Sequence, residues 1–340
     1  MIRVGVIRGG PSSEYEVSLN TGANVLSHLR GDVLREKYKP VDILIDKDAT
    51  WHVNGKPITL EHVSNNVDVI FNALHGEFGE DGKVQQMLNQ WKIPYTGSGA
   101  FASALGYNKA MAKDRFKNLG IKTPESVIIT KDSYDVSDKS PEDLAKEQAR
   151  YVWSKIPPSW VVKPISSGSS VGVKVCKTFP ELEDALLSCI IDGVDILVEE
   201  MIEGKEATVG VVEGFRGQKT YTLPPIEIRV PKHKTFFDYD AKYSGISEEI
   251  CPGNFTNDEK EELARLASLI HTGLNLDHYS RSDFIVHPRR GIYALEVNTL
   301  PGLTDASLTP KALYAVGATM PEFISHLLTL ALNKNNPTQY

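Results

Sequence analysis

Two acidic residues stand at matching positions of two neighbouring apolar runs near the end of this 340-residue chain. Turn residues at 287–291 join the runs, so we predict an antiparallel hairpin with a loop of about four residues. In such a hairpin Asp283 lies opposite Glu296, and Arg281 lies opposite Asn298. Because side chains two positions apart on a strand share a face, all four side chains point the same way.

Facing carboxylates repel each other and destabilise a hairpin unless a cation lies between them. Oxygen ligands of this kind suit Mg²⁺, which prefers one or two carboxylates together with phosphate oxygens and water. We therefore predict a magnesium site at Asp283, Glu296 and Asn298. The alternative is a solvated face on which Arg281 neutralises the acids, and the sequence leaves both interpretations open.

The composition sets the broad class of protein. With 41% hydrophobic and 24% charged residues, the chain is typical of a water-soluble protein too long for one compact core, so we expect two or three domains. A net charge of -7 argues against nucleic acid or an anionic membrane as partner, since either needs clustered Lys and Arg. The 3 cysteines, without CxxC spacing, indicate neither a disulfide framework nor a zinc site. With no signal-peptide pattern and no apolar run of roughly 18 residues, we expect a cytoplasmic protein.

The first third of the chain alternates short apolar runs, turn signals and helical patterns, which indicates α/β layers. The clearest buried strands are expected at residues 2–7 and 67–71. Further along, Thr256 and Glu259 have the spacing of a capping box and predict the start of a helix that ends at Gly273. We interpret residues 131–150 as a polar surface excursion without chemistry. We predict domains at residues 1–115, 116–204 and 205–340.

Three glycine-rich segments follow expected strands. Lys163 stands at the entrance of a Gly/Ser loop ending at Gly172, which favours phosphate binding, although a plain loop is the alternative. This loop is not a Walker A motif, and the loop at residues 9–14 lacks the GxGxxG pattern, which disfavours a dehydrogenase or kinase built on the N-terminal unit. Residues 75–82 follow a strand where α/β sheets present ligand-binding loops. His75 alone would be a structural hydrogen-bonding residue.

Seven segments are each weak signals alone, but their order along the chain is specific. They are residues 9–18, 75–82, 95–99, 163–172, 240–243, 281–283 and 296–304. In this order they resemble the D-alanine:D-alanine ligase family of the ATP-grasp superfamily, over nearly the whole chain. The resemblance implies an α/β fold, α+β in part, with a three-domain ATP-grasp architecture and an N-terminal parallel-sheet domain. It also implies an ATP-dependent ligase of peptidoglycan precursor synthesis that forms D-alanyl-D-alanine through a D-alanyl phosphate.

The resemblance further implies a nucleotide site between the central and C-terminal domains. The lysines that would hold the phosphates are Lys109, Lys163 and Lys242. The residues that would face the adenine and ribose are Glu199, Met201, Ile202 and Glu206. Two Mg²⁺ ions, or Mn²⁺, would be held by Asp283, Glu296 and Asn298, in agreement with the hairpin argument.

For the amino acids, the resemblance implies that Glu14 holds the ammonium of the first D-alanine, aided by Ser169 and Tyr243. Arg281 and the amide of Gly302 would stabilise the tetrahedral oxyanion. The contacts to the second substrate would come from His75, Ser307 and Leu308.

Several choices stay open within this resemblance. Tyr243, in a lid at about 232–252, implies an amine acceptor and so D-alanyl-D-alanine rather than D-alanyl-D-lactate. An ATP-grasp ligase for D-lactate or D-serine, and a nucleotide-binding module without catalysis, are the alternatives. Asp305 stands where the family commonly has a small polar residue and could tune acceptor choice. A homodimer is also implied.

Overall fold

The computed structural model describes residues 1–135, 138–166, 172–229 and 248–334. Within these ranges the chain forms three sheets, two of them antiparallel and one mixed, with helices packed against them. The predicted α/β class is confirmed.

The first sheet has five strands in the order β4-β3-β2-β1-β5. Its strands are β1 (Ile2–Gly9), β2 (Tyr38–Ile45), β3 (Trp51–Val53), β4 (Lys56–Ile58) and β5 (Val69–Asn72). As predicted, β1 runs parallel to both β2 and β5, while β3 and β4 add an antiparallel edge. That edge hairpin turns at Asn54 and Gly55, whose φ values of 51° and 73° are those an Asn-Gly turn requires.

Five helices accompany this sheet and lead out of it: α1 (Tyr15–Arg30), α2 (Leu60–Asn66), α3 (Lys83–Gln90), α4 (Ala100–Tyr107) and α5 (Lys109–Asn118). The Asn108 side chain accepts a hydrogen bond from the backbone N–H of Met111 and so caps α5. Lys109 is therefore the first residue of α5. It also runs across residue 115, where we predicted the first domain boundary, and the boundaries at 115/116 and 204/205 stay predictions.

The second sheet has four antiparallel strands in the order β6-β9-β7-β8. Its elements are β6 (Ser126–Ile129), α6 (Asp132–Asp135), α7 (Pro141–Lys155), β7 (Trp160–Pro164), β8 (Lys174–Cys176), α8 (Phe179–Ile191) and β9 (Ile196–Glu200). Helix α7 buries Leu144, Ala145 and Ala149 in the core of this unit. The interpretation of residues 131–150 as a surface excursion is therefore wrong for α7, because its apolar stripe faces the sheet and only its polar face meets solvent.

The third sheet is antiparallel, in the order β13-β12-β10-β14-β15 with β11 beside β10. Its strands are β10 (Lys205–Glu213), β11 (Thr220–Thr222), β12 (Ile226–Arg229), β13 (Glu248–Ile250), β14 (Tyr279–His287) and β15 (Gly291–Asn298). Three helices complete the unit: α9 (Asn257–Gly273), α10 (Leu308–Ala315) and α11 (Met320–Lys334). Both hydrogen bonds of the predicted capping box between Thr256 and Glu259 are present, and α9 ends at Gly273 as predicted.

The first and third units meet at a hydrogen-bonded junction. The N–H of Gly97 donates to Nδ1 of His278 at 3.0 Å, and the N–H of Gly99 donates to the Asp277 carboxylate at 3.2 Å. In return the N–H of Asp277 donates to Oγ of Ser98 at 3.1 Å. Apolar residues of α1, β1 and β5 share one core with residues of α11. The two ends of the chain are therefore packed together.

Within the described ranges no single helix is long and apolar enough to cross a membrane. Helices α10 and α11 pass a length and composition test only as a pair bent by 106°. The side chains of Phe323, Ile324 and Leu327 in α11 are fully buried in the protein core, as expected for a core helix.

Candidate active site

The acidic hairpin of β14 and β15 places Asp283 opposite Glu296 and Arg281 opposite Asn298, as predicted. The prediction is correct at these pairs for an unexpected reason. The connection is one residue shorter than expected, since His287 pairs with Gly291, and a bulge between Asp283 and Phe284 restores the register.

Arg281 and Asp283 form a two-pronged ion pair on this face. The guanidinium Nε and Nη2 each donate to a different carboxylate oxygen of Asp283 at 3.0 Å. The Thr208 hydroxyl on the neighbouring β10 donates to the same carboxylate at 2.5 Å. The solvated-face alternative is half right, because Arg281 does neutralise Asp283, but both side chains are largely buried.

Burial by itself would lower the pKa of the Arg281 guanidinium. The charges of Asp283, Glu296 and Glu80 outweigh that effect and raise its pKa above the ordinary value. Arg281 therefore carries a fixed positive charge beside the two acids. A fixed cation of this kind can stabilise an oxyanion without any proton transfer.

Glu296 has a lysine beside it. The Nζ atom of Lys109, at the start of α5, lies 3.6 Å from a carboxylate oxygen of Glu296. The backbone N–H of Lys109 donates to the carbonyl of Ile165, just past β7. The start of α5 thus lies between the end of β7, where Lys163 is, and the acidic hairpin.

Lys163 and Glu199 occupy neighbouring strands of the second sheet and form an ion pair of 2.6 Å. Both are buried, and Glu199 also pairs with Lys113 at 2.5 Å. Burial tends to raise the pKa of Glu199, but the two ammonium groups lower it overall, so this carboxyl is ionised.

The expected adenine and ribose contacts follow directly along the chain from Glu199. The backbone N–H of Met201 donates to the carbonyl of Ser159, and Ile202 is buried. Glu206 lies on β10, where it pairs with Ile285 of β14. The structure therefore places these residues near the end of β9, in the connection that follows it and on β10.

Two residues expected to line the amino-acid site, Glu14 and His75, lie next to Gly76. A side chain at Gly76 would come within 2.6 Å of the Glu14 carboxylate, so this position holds a glycine at φ 69° next to Glu14. His75 is buried, with Nε2 2.8 Å from the Thr21 hydroxyl and Nδ1 3.6 Å from the Glu80 carboxylate. These contacts agree with a structural role for His75.

The loop after β15 is held from two sides. The Ser307 hydroxyl lies 2.8 Å from the Thr304 hydroxyl and accepts from the Thr304 N–H at 3.1 Å. The Asn24 amide of α1 donates to the carbonyl of Leu303 at 2.6 Å. Ser307 occupies the N-cap position of α10, without a side-chain hydrogen bond to the helix, and Leu308 is the first residue of α10. A Cβ atom at Gly302 would lie 3.0 Å from the Ser307 hydroxyl, so the two expected contact sites are adjacent.

Ser169, Lys242 and Tyr243, together with most of the expected lid, lie outside the described residues. The sequence argument missed Thr208, Glu80 and Lys113. The signal for Lys113 was its spacing of four residues from Lys109, which puts both lysines on one face of α5. Thr208 gave no signal, because its contact with Asp283 joins strands 75 residues apart.

The donor set fits a divalent metal and a nucleotide tail. Asp283 and Glu296 present carboxylates across one hairpin, and Asn298 lies two positions from Glu296 on the same face. Oxygen donors on one rigid face are what Mg²⁺ prefers. Lysines in the same region supply the charge that polyphosphate requires.

Comparisons with known proteins agree with this geometry. The sequence model described as D-ala D-ala ligase C-terminus matches residues 116–329, and the one described as D-ala D-ala ligase N-terminus matches residues 3–63 and 53–98. The D-alanine--D-alanine ligase of Halalkalibacterium halodurans is 36% identical over 98% of this chain and 100% of its own. The one from Anaeromyxobacter sp. is 38% identical over 96% of each chain.

Solved structures give the same answer. The D-alanine--D-alanine ligase of Bacillus anthracis superimposes with a TM-score of 0.78 at 31% identity, over 100% of both chains. The VanG D-Ala:D-Ser ligase of Enterococcus faecalis reaches a TM-score of 0.81 at 25% identity, over 97% of this chain and 99% of its own. The chain therefore belongs to the D-alanine--D-alanine ligase family.

Proposed function

We propose that this protein joins two D-alanine molecules into D-alanyl-D-alanine, with hydrolysis of ATP to ADP and phosphate, for the synthesis of peptidoglycan precursors. The observation that carries the proposal is the acidic hairpin, on which Asp283 and Glu296 face each other beside Arg281 and Lys109. A binding module without catalysis has no use for a buried arginine on this face. The Bacillus anthracis relative has been solved in complex with ATP, which supports ATP as the nucleotide.

Asp283, Glu296 and Asn298 would hold two Mg²⁺ ions, with Mn²⁺ as a substitute. When bound, these ions supply the positive charge that lets a carboxylate approach the γ-phosphate. The protein's own contribution is to keep the donors in place: Thr208 and Arg281 orient Asp283. Lys109 does the same for Glu296.

Lys109, Lys163 and Lys242 would hold the phosphates, while Glu199, Met201, Ile202 and Glu206 would face the adenine and ribose. Support comes from the route of the backbone. The backbone N–H of Lys109 donates to the carbonyl of Ile165, two residues after Lys163. The two lysines therefore belong to neighbouring segments and can bind one anion together.

Glu14 would hold the ammonium group of the first D-alanine, with Ser169 and Tyr243 completing that wall. A carboxylate oxygen of this D-alanine would attack the γ-phosphorus, the bond from that phosphorus to the ADP oxygen would break, and D-alanyl phosphate and ADP would form. The neutral amine of the second D-alanine would then attack the carbonyl carbon, the C–O bond to phosphate would break, and the amine would release a proton. Arg281 and the amide of Gly302 would stabilise the oxyanion between these steps. The amine attacks only in its neutral form, so the ammonium of the second D-alanine first has to lose a proton to solvent. Positioning of the neutral amine then favours the attack.

Ser307 and Leu308 would bind the carboxylate of the second D-alanine, and His75 would lie in the same wall. The cap position of Ser307 supports this, because a helix start attracts anions. The acceptor is proposed to be the amine of D-alanine, with D-lactate or D-serine as alternative acceptors. The Enterococcus faecalis relative is a D-Ala:D-Ser ligase, which keeps D-serine as a second candidate.

The test is incubation with ATP, Mg²⁺ and single D- or L-amino acids, with the products identified by mass. The expected result is D-alanyl-D-alanine, with phosphate release that depends on D-alanine. ATP binding without such release would support the binding module instead. Equal consumption of D-lactate and D-alanine at neutral pH would overturn the acceptor assignment.

A matched pair of variants tests the role of Glu14. Because Glu14 is buried and Glu16, two residues on, is exposed, Glu14→Gln should raise the KM for D-alanine at least about 30-fold. Glu16→Gln should leave it unchanged. Equal effects of the two changes would remove Glu14 from the site.

The protein is further proposed to act in the cytoplasm as a homodimer. Gel filtration with light scattering measures the oligomeric state.

A further inference from the structure

A buried cluster of three charged side chains includes Lys163, one of the proposed phosphate ligands. One oxygen of Glu199 pairs with Lys113 at 2.5 Å, and the other pairs with Lys163 at 2.6 Å. Lys113 also donates to the Thr123 hydroxyl at 2.7 Å. The side chains of Lys113, Lys163 and Glu199 are 2%, 8% and 3% exposed. Nothing in the proposed mechanism uses Lys113.

The charges in this cluster do not cancel. One carboxylate faces two ammonium groups, so the cluster carries one positive charge in excess. An uncompensated buried charge is costly and is retained where a counter-ion completes it. The pKa of Lys113 is lowered by burial, and the Glu199 carboxylate opposes that effect. The ion pair with Glu199 thus favours the charged form of Lys113.

The two lysines differ in position. Lys163 is near the end of β7, where the Gly/Ser loop begins, while Lys113 is inside α5 between Ala112 and the turn that contains Phe116. Thr123 and Glu199 are the two hydrogen-bond partners of the Lys113 ammonium within the described residues. Lys113 and Lys163 thus pair with different oxygens of Glu199, and only Lys163 stands at the entrance of the Gly/Ser loop.

We propose that Lys113 is a positioning residue for nucleotide binding. It balances the charge of Glu199 through one carboxylate oxygen, so that the charge of Lys163, at the other oxygen, remains available to the phosphates of ATP. Without Lys113, Glu199 and Lys163 form a neutral pair, and the Lys163 ammonium binds Glu199 rather than the ATP phosphates. The inference rests on the proposed nucleotide site, and it adds a residue to which the mechanism gives no contact with the substrate.

The experiment compares the dissociation constants of ATP and adenosine by calorimetry. Their ratio isolates the contribution of the phosphates. In Lys113→Met the ATP constant should rise about tenfold, equal to about 1.4 kcal/mol, while the adenosine constant stays within twofold of the parent value. Lys117→Met is the matched control, because Lys117 is exposed one turn further along the same helix. It should change neither constant.

A double variant separates charge from packing. Lys113→Met combined with Glu199→Gln leaves Lys163 as the only charge of the cluster, so the net charge returns to its original value. The ratio of the adenosine and ATP constants should then recover to within about threefold of the parent protein, even if both constants shift because Glu199 is altered. A residue that acted only through packing would give no such recovery.

Three results would overturn the proposal: an unchanged ATP constant in Lys113→Met, an equal loss of adenosine and ATP binding, or no recovery in the double variant. Glu199 keeps Lys163 as its partner, so Lys113→Met leaves no unpaired carboxylate in the cluster and the variant should fold. If it does not, Lys113→Gln removes the charge and retains a polar N–H donor. Because these measurements need no amino acid, a parent protein that binds ATP but makes no dipeptide would overturn the proposed function and leave this inference to be decided separately.

Discussion

The ammonium of Lys109 lies 3.6 Å from the carboxylate of Glu296, although the two residues belong to different units of the fold. Lys109 begins α5, and Glu296 is near the end of β15. The contact brings a proposed phosphate ligand and a proposed metal ligand within reach of one bound group. It also means that the hairpin acids have two cations beside them, Lys109 at Glu296 and Arg281 at Asp283.

The first prediction concerns Glu296. Glu296→Gln removes a metal-binding carboxylate and leaves a neutral amide, so the Mg²⁺ concentration needed for half-maximal activity should rise about 100-fold. Steady-state assays over a Mg²⁺ series measure this. Glu261→Gln, on the exposed face of α9, is the control and should behave as the parent protein. An unchanged Mg²⁺ requirement in Glu296→Gln would exclude this carboxylate as a ligand.

The second prediction concerns the two-pronged pair of Arg281 and Asp283. Arg281→Lys keeps the charge but loses the planar fork, so kcat should fall about 100-fold while the dissociation constant of ATP changes little. Arg265→Lys is the matched control, since Arg265 makes the same two-pronged contact to Glu262 at the surface. A loss of ATP binding equal to the loss of kcat would assign Arg281 to the nucleotide instead.

The third prediction follows from His271. Its Nδ1 lies 2.8 Å from the Ser280 hydroxyl, and its Nε2 makes no hydrogen bond within the part of the chain described. Burial lowers the pKa of His271 from 6.5 to about 4, despite the nearby charge of Asp277. The folded protein thus binds this proton less readily than the unfolded chain does.

The stability gained from a neutral His271 is complete above pH 6.5 and is lost as the pH falls from there toward 4, by about 3 kcal/mol. Urea unfolding at pH 7 and pH 4.5 should show a smaller acid loss in His271→Gln than in the parent protein. The exposed His62→Gln serves as control. The assignment fails if both variants keep the acid sensitivity of the parent.

The fourth prediction tests the junction at His278, which has a left-handed φ of 65° and accepts the Gly97 N–H. His278→Ala leaves that buried donor unpaired and should lower the unfolding free energy by about 1 to 3 kcal/mol. His278→Asn should cost less, because asparagine tolerates this backbone region and offers an oxygen acceptor. Denaturant unfolding of the two variants measures the difference, and an equal loss in both would contradict the hydrogen bond's contribution.

Local patterns in the sequence predicted local structure well. The capping box at Thr256, the end of α9 at Gly273 and the first strand each depend on residues a few positions apart. The hairpin register shows the limit of this approach: the pairing of Asp283 with Glu296 is right only because a bulge offsets a shorter loop. Neither the bulge nor the loop length has a distinctive residue pattern.

Contacts between distant segments could not be predicted from spacing. Lys113 and Glu199 are 86 residues apart, and Asn24 and Leu303 are 279 apart. Each pair meets only because separate sheets pack together, and packing depends on the whole core rather than on a motif. The resemblance proposes the residues of the site, but it could not indicate which other side chains contact them.

The junction of Gly97 and Gly99 with the turn at Asp277 and His278 has a consequence for how such enzymes diversify. Glu14 and His75 of the proposed amino-acid wall are encoded early in the chain, yet the turn that is hydrogen-bonded to the same unit is encoded far downstream. Recombination that exchanged only the N-terminal domain between relatives would transfer these residues without the turn to which their unit is hydrogen-bonded. Inheritance of the two segments therefore has to be joint, and a working chimera would carry both from one parent.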